Sequence, residues 1–114
     1  MAYHGIEACY RQSDKWFGGV TCTNGSGSAR TGLYADYSDE EMCDVRRREQ
    51  DQAAVVGEYA AMAQLDYPSS VIKDPSNNSP AEDLTAIIEA SRPEVIYTHN
   101  LADKHATHIA VTAA

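Results

Sequence analysis

The sequence predicts an α/β domain in which helices pack against a mostly parallel sheet. Segments with helical and strand-like patterns alternate along the chain as helix, strand, helix, strand, helix, strand, helix, which is the order typical of parallel strands joined by right-handed crossovers. The 114 residues suffice for one domain with a modest core. Three predicted strands are fewer than the about five or six of a usual sheet. The sequence therefore indicates a single partial domain over residues 1–114.

The first half of the chain should contain two helices around one strand. Apolar residues recur on one helical face of residues 1–12, and aromatic and β-branched residues at 16–23 predict a strand that ends in the turn-rich segment 24–28. Ser38 with a glutamate three residues later forms a capping-box pattern. Alanines and spaced apolar residues extend that helix to about Leu65, which makes it the longest predicted element.

The second half should contain two short strands, each followed by a helix. Residues 70–73 predict a strand. At Ser79, a serine cap, a proline at the first helical position and a glutamate two residues later predict a helix that ends before Pro93. Residues 94–98 predict the third strand. The last helix is expected to begin near Asp103, which would serve as its N-cap.

Composition and charge exclude several classes of protein. The formal net charge is −8 and the arginines cluster in one run, so a basic surface for nucleic acid is not expected. No apolar stretch approaches the length of a membrane span, and no leader pattern is present, which predicts a cytoplasmic protein. The three cysteines lack CxxC spacing and fit neither a disulfide framework nor a cysteine zinc site.

Three of the four histidines follow the third predicted strand closely. His105 and His108 are one helical turn apart beyond Asp103, and His99 precedes them, so these side chains can face one point at the carboxyl end of a strand. Such histidines can bind a metal ion or donate a hydrogen bond to a developing oxyanion. From spacing alone a second interpretation stays open, in which Asp103 only caps the helix and the histidines are surface residues.

Two other segments have weaker functional interpretations. The glycine-rich loop at 24–32 could wrap an anion, but it lacks both GxGxxG and GK[ST], so a connecting loop is favoured over a nucleotide site. The arginine run at 46–48 is typical of a solvated helix face. One of its arginines could instead hold a polar substrate.

Three segments are more specific in combination than any one of them is alone. These are Thr23-Asn24-Gly25 at a strand end, Arg46 to Gln50 leading a helix with Ala53-Ala54, and Arg92 to Asn100 before Asp103-x-His105-x-x-His108. The combination resembles the LmbE-like (PIG-L) family of zinc-dependent de-N-acetylases over nearly the whole chain. That resemblance implies a Rossmann-like three-layer fold and removal of an acetyl group from an N-acetylglucosamine-type sugar, with Zn²⁺ as cofactor.

The resemblance also implies roles for individual residues. His108 matches the family's C-terminal zinc ligand. His105 matches the histidine that stabilises the oxyanion or helps to protonate the leaving amine, and we predict Asp103 as a second catalytic residue. For substrate binding we predict Arg46, which with Glu49 matches an Arg-x-x-Glu element, together with Asn24 and Asn100.

The chain departs from the family pattern in one major respect. The family's other metal ligands and its catalytic base come from a His-x-Asp-Asp segment after the first strand, and no such tetrapeptide occurs here. We therefore expect a sequence that starts and ends inside a longer reading frame and has negligible activity by itself. A lesser departure is Thr107, where a proline–aspartate pair often precedes the last histidine. Unpaired sheet edges would promote self-association.

Two functions of different classes remain open. The first is the zinc-dependent deacetylase. The second is a non-catalytic α/β module for small-ligand binding or assembly, which predicts that His105→Ala and His108→Ala change neither ligand binding nor metal content. Nucleotide binding through the glycine-rich loop ranks below both.

Overall fold

The computed structural model describes residues 1–114. Seven regular elements and one short 3-10 turn follow one another along the chain. They are α1 Tyr3–Cys9, β1 Gly18–Thr23, the 3-10 turn Gly32–Tyr34, α2 Asp39–Val56, β2 Ala61–Tyr67, α3 Ser69–Ile72, α4 Ser79–Ser91 and α5 Ala106–Ala113.

The sheet consists of two parallel strands. Gly18 of β1 lies opposite Ala61 of β2, and the register continues until an irregularity just before Thr23, which lies opposite Tyr67. Helix α2 connects the strands, as a parallel pair requires. This mixed helix and strand fold is consistent with the predicted α/β class. The sheet has two strands rather than the three predicted, and a three-layer arrangement stays a prediction.

Helix α2 begins where the sequence predicts and ends earlier. The Ser38 hydroxyl accepts a hydrogen bond from the Glu41 amide at 3.2 Å, and the Glu41 carboxylate accepts one from the Ser38 amide at 2.8 Å. The predicted continuation to Leu65 is wrong. The helix ends at Val56 with Gly57 as its C-cap, and Glu58 follows with a φ of +52°. The alanine-rich stretch after it has helical propensity, but pairing with β1 makes it strand β2 instead.

Residues 70–73, predicted as a strand, lie mostly in the one-turn helix α3. Pro68 precedes the helix with an extended backbone, and its carbonyl accepts hydrogen bonds from the amides of Val71 and Ile72 at 3.0 and 3.4 Å. The strand that was expected here lies a few residues earlier, as β2. Because a run of four residues has too few positions to show a period, its β-branched side chains alone gave a misleading signal.

Residues 94–98 were also predicted as a strand, and this prediction is wrong. The segment has no strand partner, and Val95 and Ile96 are exposed. Tyr97 instead packs on α1, where a Cβ placed on Gly5 would lie 2.6 Å from the tyrosine ring. A strand is defined by hydrogen bonds to a neighbour, and this segment pairs with neither β1 nor β2.

The core is small and lies between the sheet and its helices. Its buried apolar side chains are Cys22 of β1, Met42 of α2 and Ile72 of α3, of which only Met42 is fully enclosed. Burial raises the pKa of the Cys22 thiol, which therefore stays protonated and packs as a small apolar group. None of the helices combines the length and the apolar character that crossing a membrane requires.

Candidate metal centre

A tight turn between residues 99 and 105 carries the chain into α5. The Asn100 side-chain oxygen accepts a hydrogen bond from the Ala102 amide at 2.8 Å, and its backbone carbonyl accepts one from the Asp103 amide at 2.9 Å. One Asp103 carboxylate oxygen then accepts from the His105 amide at 2.8 Å. The predicted N-cap at Asp103 is wrong, because the cap position belongs to His105 and the helix begins at Ala106. Asp103 orders the turn before the helix instead.

Asp103 also contacts His108 directly. Its second carboxylate oxygen lies 3.0 Å from Nδ1 of the His108 ring, and both side chains are about a third exposed, 29% for the aspartate and 40% for the histidine. The His105 amide, followed by the His108 side chain, lowers the pKa of the Asp103 carboxyl below its usual value. The carboxylate is therefore ionised at neutral pH.

Two further imidazole rings stack against His108. The rings of His99 and His108 are parallel within 3°, with centroids 3.9 Å apart, and the His105 ring lies 4.4 Å from His108 at an angle of 22°. Burial, and then the nearby His108, lower the pKa of His99 below its usual value. Both effects favour a neutral imidazole, whose unprotonated nitrogen can bind a metal ion.

Thr112 joins the two chain segments that carry these rings. Its hydroxyl lies 3.0 Å from the His99 carbonyl and 3.1 Å from the His108 carbonyl, and it also contacts the Thr98 hydroxyl at 3.3 Å. Sequence reasoning missed this residue. The only available signal was its position four residues after His108, which places it one turn further along α5.

Three side chains of the turn form a set of possible metal ligands. Ligand atoms of His99, Asp103 and His108 all lie within 4.8 Å of one another. Imidazole nitrogen and carboxylate oxygen are both ligands that zinc accepts, so the donor set fits that ion. An ion lies close to the plane of the imidazole that binds it, and two parallel planes cannot contain the same ion. As arranged, only one of the two stacked histidines can therefore bind a given ion.

A second polar site lies beside the carboxyl half of β1. It is a cleft of about 140 Å³ without any hydrophobic side chain in its lining, formed by Thr21, Thr23, Asn24, Gly25, Ser28, Arg46, Arg47, Gln50 and Gln64. Arg46 donates a hydrogen bond from Nε to the Ser28 hydroxyl at 2.9 Å and pairs with Glu49. The guanidinium thus joins α2 to the glycine-rich loop.

The glycine-rich loop is held by side chains and does not follow a nucleotide-binding pattern. Arg30 donates from Nη1 to the carbonyls of Ser26 and Ser28 at 2.6 and 2.8 Å and pairs with Asp39 at the start of α2. Asn24 accepts from the Ser26 amide at 3.1 Å. These bonds order the loop against α2, and only the one-turn 3-10 segment Gly32–Tyr34, not an α-helix, follows it.

The predicted site residues fall into two separate groups. Asp103, His105 and His108 come together in the turn and in α5, and Asn100 forms the same turn. Asn24 and Arg46 line the cleft. No hydrogen bond or ion pair joins the two groups. His99, to which the sequence assigned no separate role, is the closest stacking partner of His108.

Comparison with known families adds a finding that the geometry alone does not supply. The sequence profile of the PIG-L family, described as GlcNAc-PI de-N-acetylase, matches residues 2–114. The chain belongs to the PIG-L family. PIG-L proteins are generally hydrolytic deacetylases and typically depend on a metal ion. The PIG-L match includes both the polar cleft and the turn at residues 99–108 that carries the three histidines, here called the histidine turn. No curated protein and no solved structure matches the chain.

Proposed function

We propose that this chain carries part of the zinc site of a hydrolase that removes the acetyl group from an N-acetylglucosamine-type sugar. The observation that carries the proposal is the cluster of His99, Asp103 and His108, in which His108 can hold the ion while the other two contact its ring, in a chain that belongs to the PIG-L family. Histidines that converge with a carboxylate make this turn the functional-site candidate of the chain.

His108 is the residue that would hold the ion. It is the member of the set that also stands at the position of the family's C-terminal ligand, and one of its ring nitrogens is not engaged by Asp103. Zinc supplies Lewis acidity, which polarises a carbonyl and activates water near neutral pH. His99 stacks on the face of His108 and limits its rotation.

His105 is the proposed catalytic residue, and Asp103, which the sequence predicted as a second one, is proposed to act through His108. His105 is exposed at the start of α5 and stacks against His108, so it lies beside the proposed ion position while open to a substrate. From there an imidazole can donate a hydrogen bond to the oxyanion of the transition state or a proton to the leaving amine. Asp103 takes part in the same site because its carboxylate contacts the His108 ring.

Arg46, Asn24 and Asn100 are the proposed substrate-binding residues. The cleft that Arg46 and Asn24 line has no hydrophobic wall, which suits a ligand rich in hydroxyl groups such as an acetamido sugar. The Arg46 guanidinium is held by its hydrogen bond to Ser28 and its ion pair with Glu49. Asn100 would contribute from the histidine turn, where its side-chain amide nitrogen has no partner within the chain.

The chain by itself should be a poor enzyme. The 114 residues contain no His-x-Asp-Asp segment, so two ligands and the base of the family's mechanism are not among them. Loss of one catalytic carboxylate alone can cost several orders of magnitude in rate. We therefore expect weak zinc binding and negligible acetate release from the 114-residue chain. A cytoplasmic location stays a prediction of the sequence.

A titration with matched sugars tests the proposed function. N-acetylglucosamine and glucosamine would each be added to the ¹⁵N-labelled chain with and without zinc, and acetate release would be measured in parallel. We expect the acetylated sugar to shift the amide signals of the cleft and of the histidine turn more strongly than glucosamine does.

Two results would contradict the proposal. If neither sugar shifts any signal, the substrate assignment fails. If a sugar binds and the signals of His105→Ala and His108→Ala respond as in the wild type, the non-catalytic module is favoured. Stoichiometric zinc together with acetate release by the 114-residue chain would instead contradict the expected weak zinc binding and negligible activity.

A further inference from the structure

The two carboxylate oxygens of Asp103 have different partners. One accepts a hydrogen bond from the His105 amide at 2.8 Å, and the other lies 3.0 Å from Nδ1 of His108. The first bond fixes the carboxylate relative to the backbone of the turn. The second oxygen is therefore held at a defined place beside the His108 ring.

A partly exposed aspartate is ionised near neutral pH and has no proton to give, so the hydrogen in the contact between Asp103 and His108 belongs to the histidine. Nδ1 of His108 must carry it, since two groups that both lack a proton cannot form a hydrogen bond. In a neutral imidazole only one nitrogen is protonated. Nε2 of His108 then keeps its lone pair free.

We propose that Asp103 is a positioning residue that fixes His108 in the tautomer with the proton on Nδ1 and thereby makes Nε2 the metal-binding nitrogen. The identity of the ion rests on the proposed function, whereas the tautomer is a property of the metal-free chain. Asp103 thus acts through His108 and is not itself the ligand.

The packing around the His108 ring leaves one rotation of the ring unrestricted, and the contact with Asp103 prevents that rotation. The stacked rings of His99 and His105 restrict the plane of the His108 imidazole, and Thr112 contacts the carbonyls of both His99 and His108. Within a fixed plane the ring can still turn over by half a rotation, which exchanges the positions of its two edges. Only a partner at one nitrogen, here Asp103, distinguishes the two orientations.

The same geometry opposes direct metal binding by Asp103. Each of its oxygens already accepts a hydrogen bond, one from the backbone of the turn and one from the His108 ring, so the carboxylate is held facing His108. A carboxylate that holds a ligating histidine through its second nitrogen is a common arrangement around bound metals.

The direct test is the ¹⁵N spectrum of the imidazole nitrogens in the metal-free chain near neutral pH, which distinguishes protonated from unprotonated nitrogen. In the wild type we expect the proton of His108 on Nδ1. In Asp103→Asn the single carbonyl oxygen is needed by the His105 amide, which turns the NH₂ group toward Nδ1. That variant should therefore move the proton of His108 to Nε2.

Asp74→Asn is the matched control. Asp74 accepts a hydrogen bond from the amide two residues later, at 2.9 Å to Ser76, as Asp103 does from His105, but it has no histidine partner. The control should leave the His108 tautomer unchanged. A wild-type His108 with its proton on Nε2, or equal tautomers in the wild type and in Asp103→Asn, would overturn the proposal, and the wild-type spectrum suffices even if the variant fails to fold.

Zinc titration followed by calorimetry gives the second measurement. Asp103→Asn should bind zinc about 10- to 100-fold more weakly than the wild type, and Asp74→Asn should bind it equally well. In the zinc-loaded wild type the Nδ1 proton of His108 should persist and Nε2 should shift. Zinc on Nδ1 would overturn the proposal. A chain with the expected tautomer that binds no zinc would contradict the proposed function alone.

Discussion

At the scale of single residues, the closest fit in the polar cleft is between Gly25 and Arg46. Gly25 has a φ of +81°, and a Cβ placed there would lie 2.4 Å from Cγ of Arg46. Because those arginine atoms are near the helix backbone, they cannot move aside as the end of the chain could. The glycine therefore allows the loop to lie against α2 and the guanidinium to reach Ser28.

Gly25→Ala should lower the free energy of unfolding by at least about 1 kcal/mol, through the left-handed backbone and the overlap with Arg46. Gly27→Ala is the control, because a Cβ at Gly27 meets nothing within 4 Å. That variant should remain within about 0.5 kcal/mol of the wild type. Urea unfolding of the three proteins measures both values. Equal losses in the two variants would show that the Gly25 fit is unimportant.

At the scale of elements, local signals predicted the presence of helices better than that of strands. The capping box at Ser38 and the proline near Ser79 act within one turn, so the sequence alone revealed α2 and α4, but the predicted cap at Ser79 is wrong because Asn78 is the N-cap of α4 and Ser79 is its first residue. Strand β2 depends on hydrogen bonds to β1, more than forty residues earlier along the chain, and its alanine-rich sequence favours a helix locally. Pairing with β1 therefore determines that residues 61–67 form a strand and not a helix.

In the histidine turn, too, the local spacing was predictable from the sequence and the contacts across the turn were not. The spacing of His105 and His108 predicted two rings on one side of α5, and the structure stacks them. The stacking of His99 on His108 depends on the turn at Asn100, and no periodic pattern in the sequence predicts that turn. The position of the helix start, three residues after Asp103, follows from the same turn.

The capping box of α2 gives a prediction at this scale. Ser38→Ala removes the bond from the Ser38 hydroxyl to the Glu41 amide and should cost about 1 kcal/mol of unfolding free energy. Asn78→Ala is the control, since Asn78 is the cap residue of α4 but its side chain makes no capping hydrogen bond. Thermal unfolding should show a clear loss for the first variant and little for the second. A larger loss at Asn78 would contradict this account of the two helix starts.

Strand β2 and helix α4 are joined by a pH-sensitive contact. The Tyr67 hydroxyl donates to the Asp83 carboxylate at 2.6 Å, and this hydrogen bond, followed by burial and the charges of Asp83 and Glu82, raises the pKa of Tyr67 above its ordinary value. A raised pKa in the folded state stabilises the fold below about pH 10, and the contribution is lost as the pH rises through the folded pKa.

Tyr67→Phe should therefore reduce the loss of stability between about pH 8 and about pH 11. Denaturant unfolding at both pH values measures that loss in the wild type and in the variant. Tyr3→Phe serves as the control, because Tyr3 is exposed and its hydroxyl has no partner in the chain. A pH dependence of Tyr67→Phe as steep as that of the wild type would show that this contact does not matter.

At the scale of the whole molecule, the sheet leaves backbone groups unpaired on both sides. It has two strands, so each has one free edge, and Val20 of β1 is 40% exposed. The apolar core comprises only three buried side chains. Free strand edges next to exposed apolar residues are templates for pairing with another chain.

The 114-residue chain should therefore self-associate as its concentration rises. Light scattering during size-exclusion chromatography measures the mass, and Val20→Lys should shift it toward the monomer because lysine on an edge strand opposes pairing. Val55→Lys makes the same change at an exposed position of α2, which is not part of a strand edge, and should have little effect. A monomer at every concentration, or equal effects of both lysines, would contradict the role of the edges.

The central claim is that His108 binds a zinc ion in the histidine turn, and equilibrium dialysis with zinc followed by elemental analysis tests it most directly. The wild type should bind zinc weakly, and His4→Ala should bind it equally well, because His4 on α1 lies outside the cluster. His108→Ala should lose more affinity than the about 10- to 100-fold expected for a residue that only orients a ligand. Equal zinc content in His108→Ala and the wild type would contradict the claim.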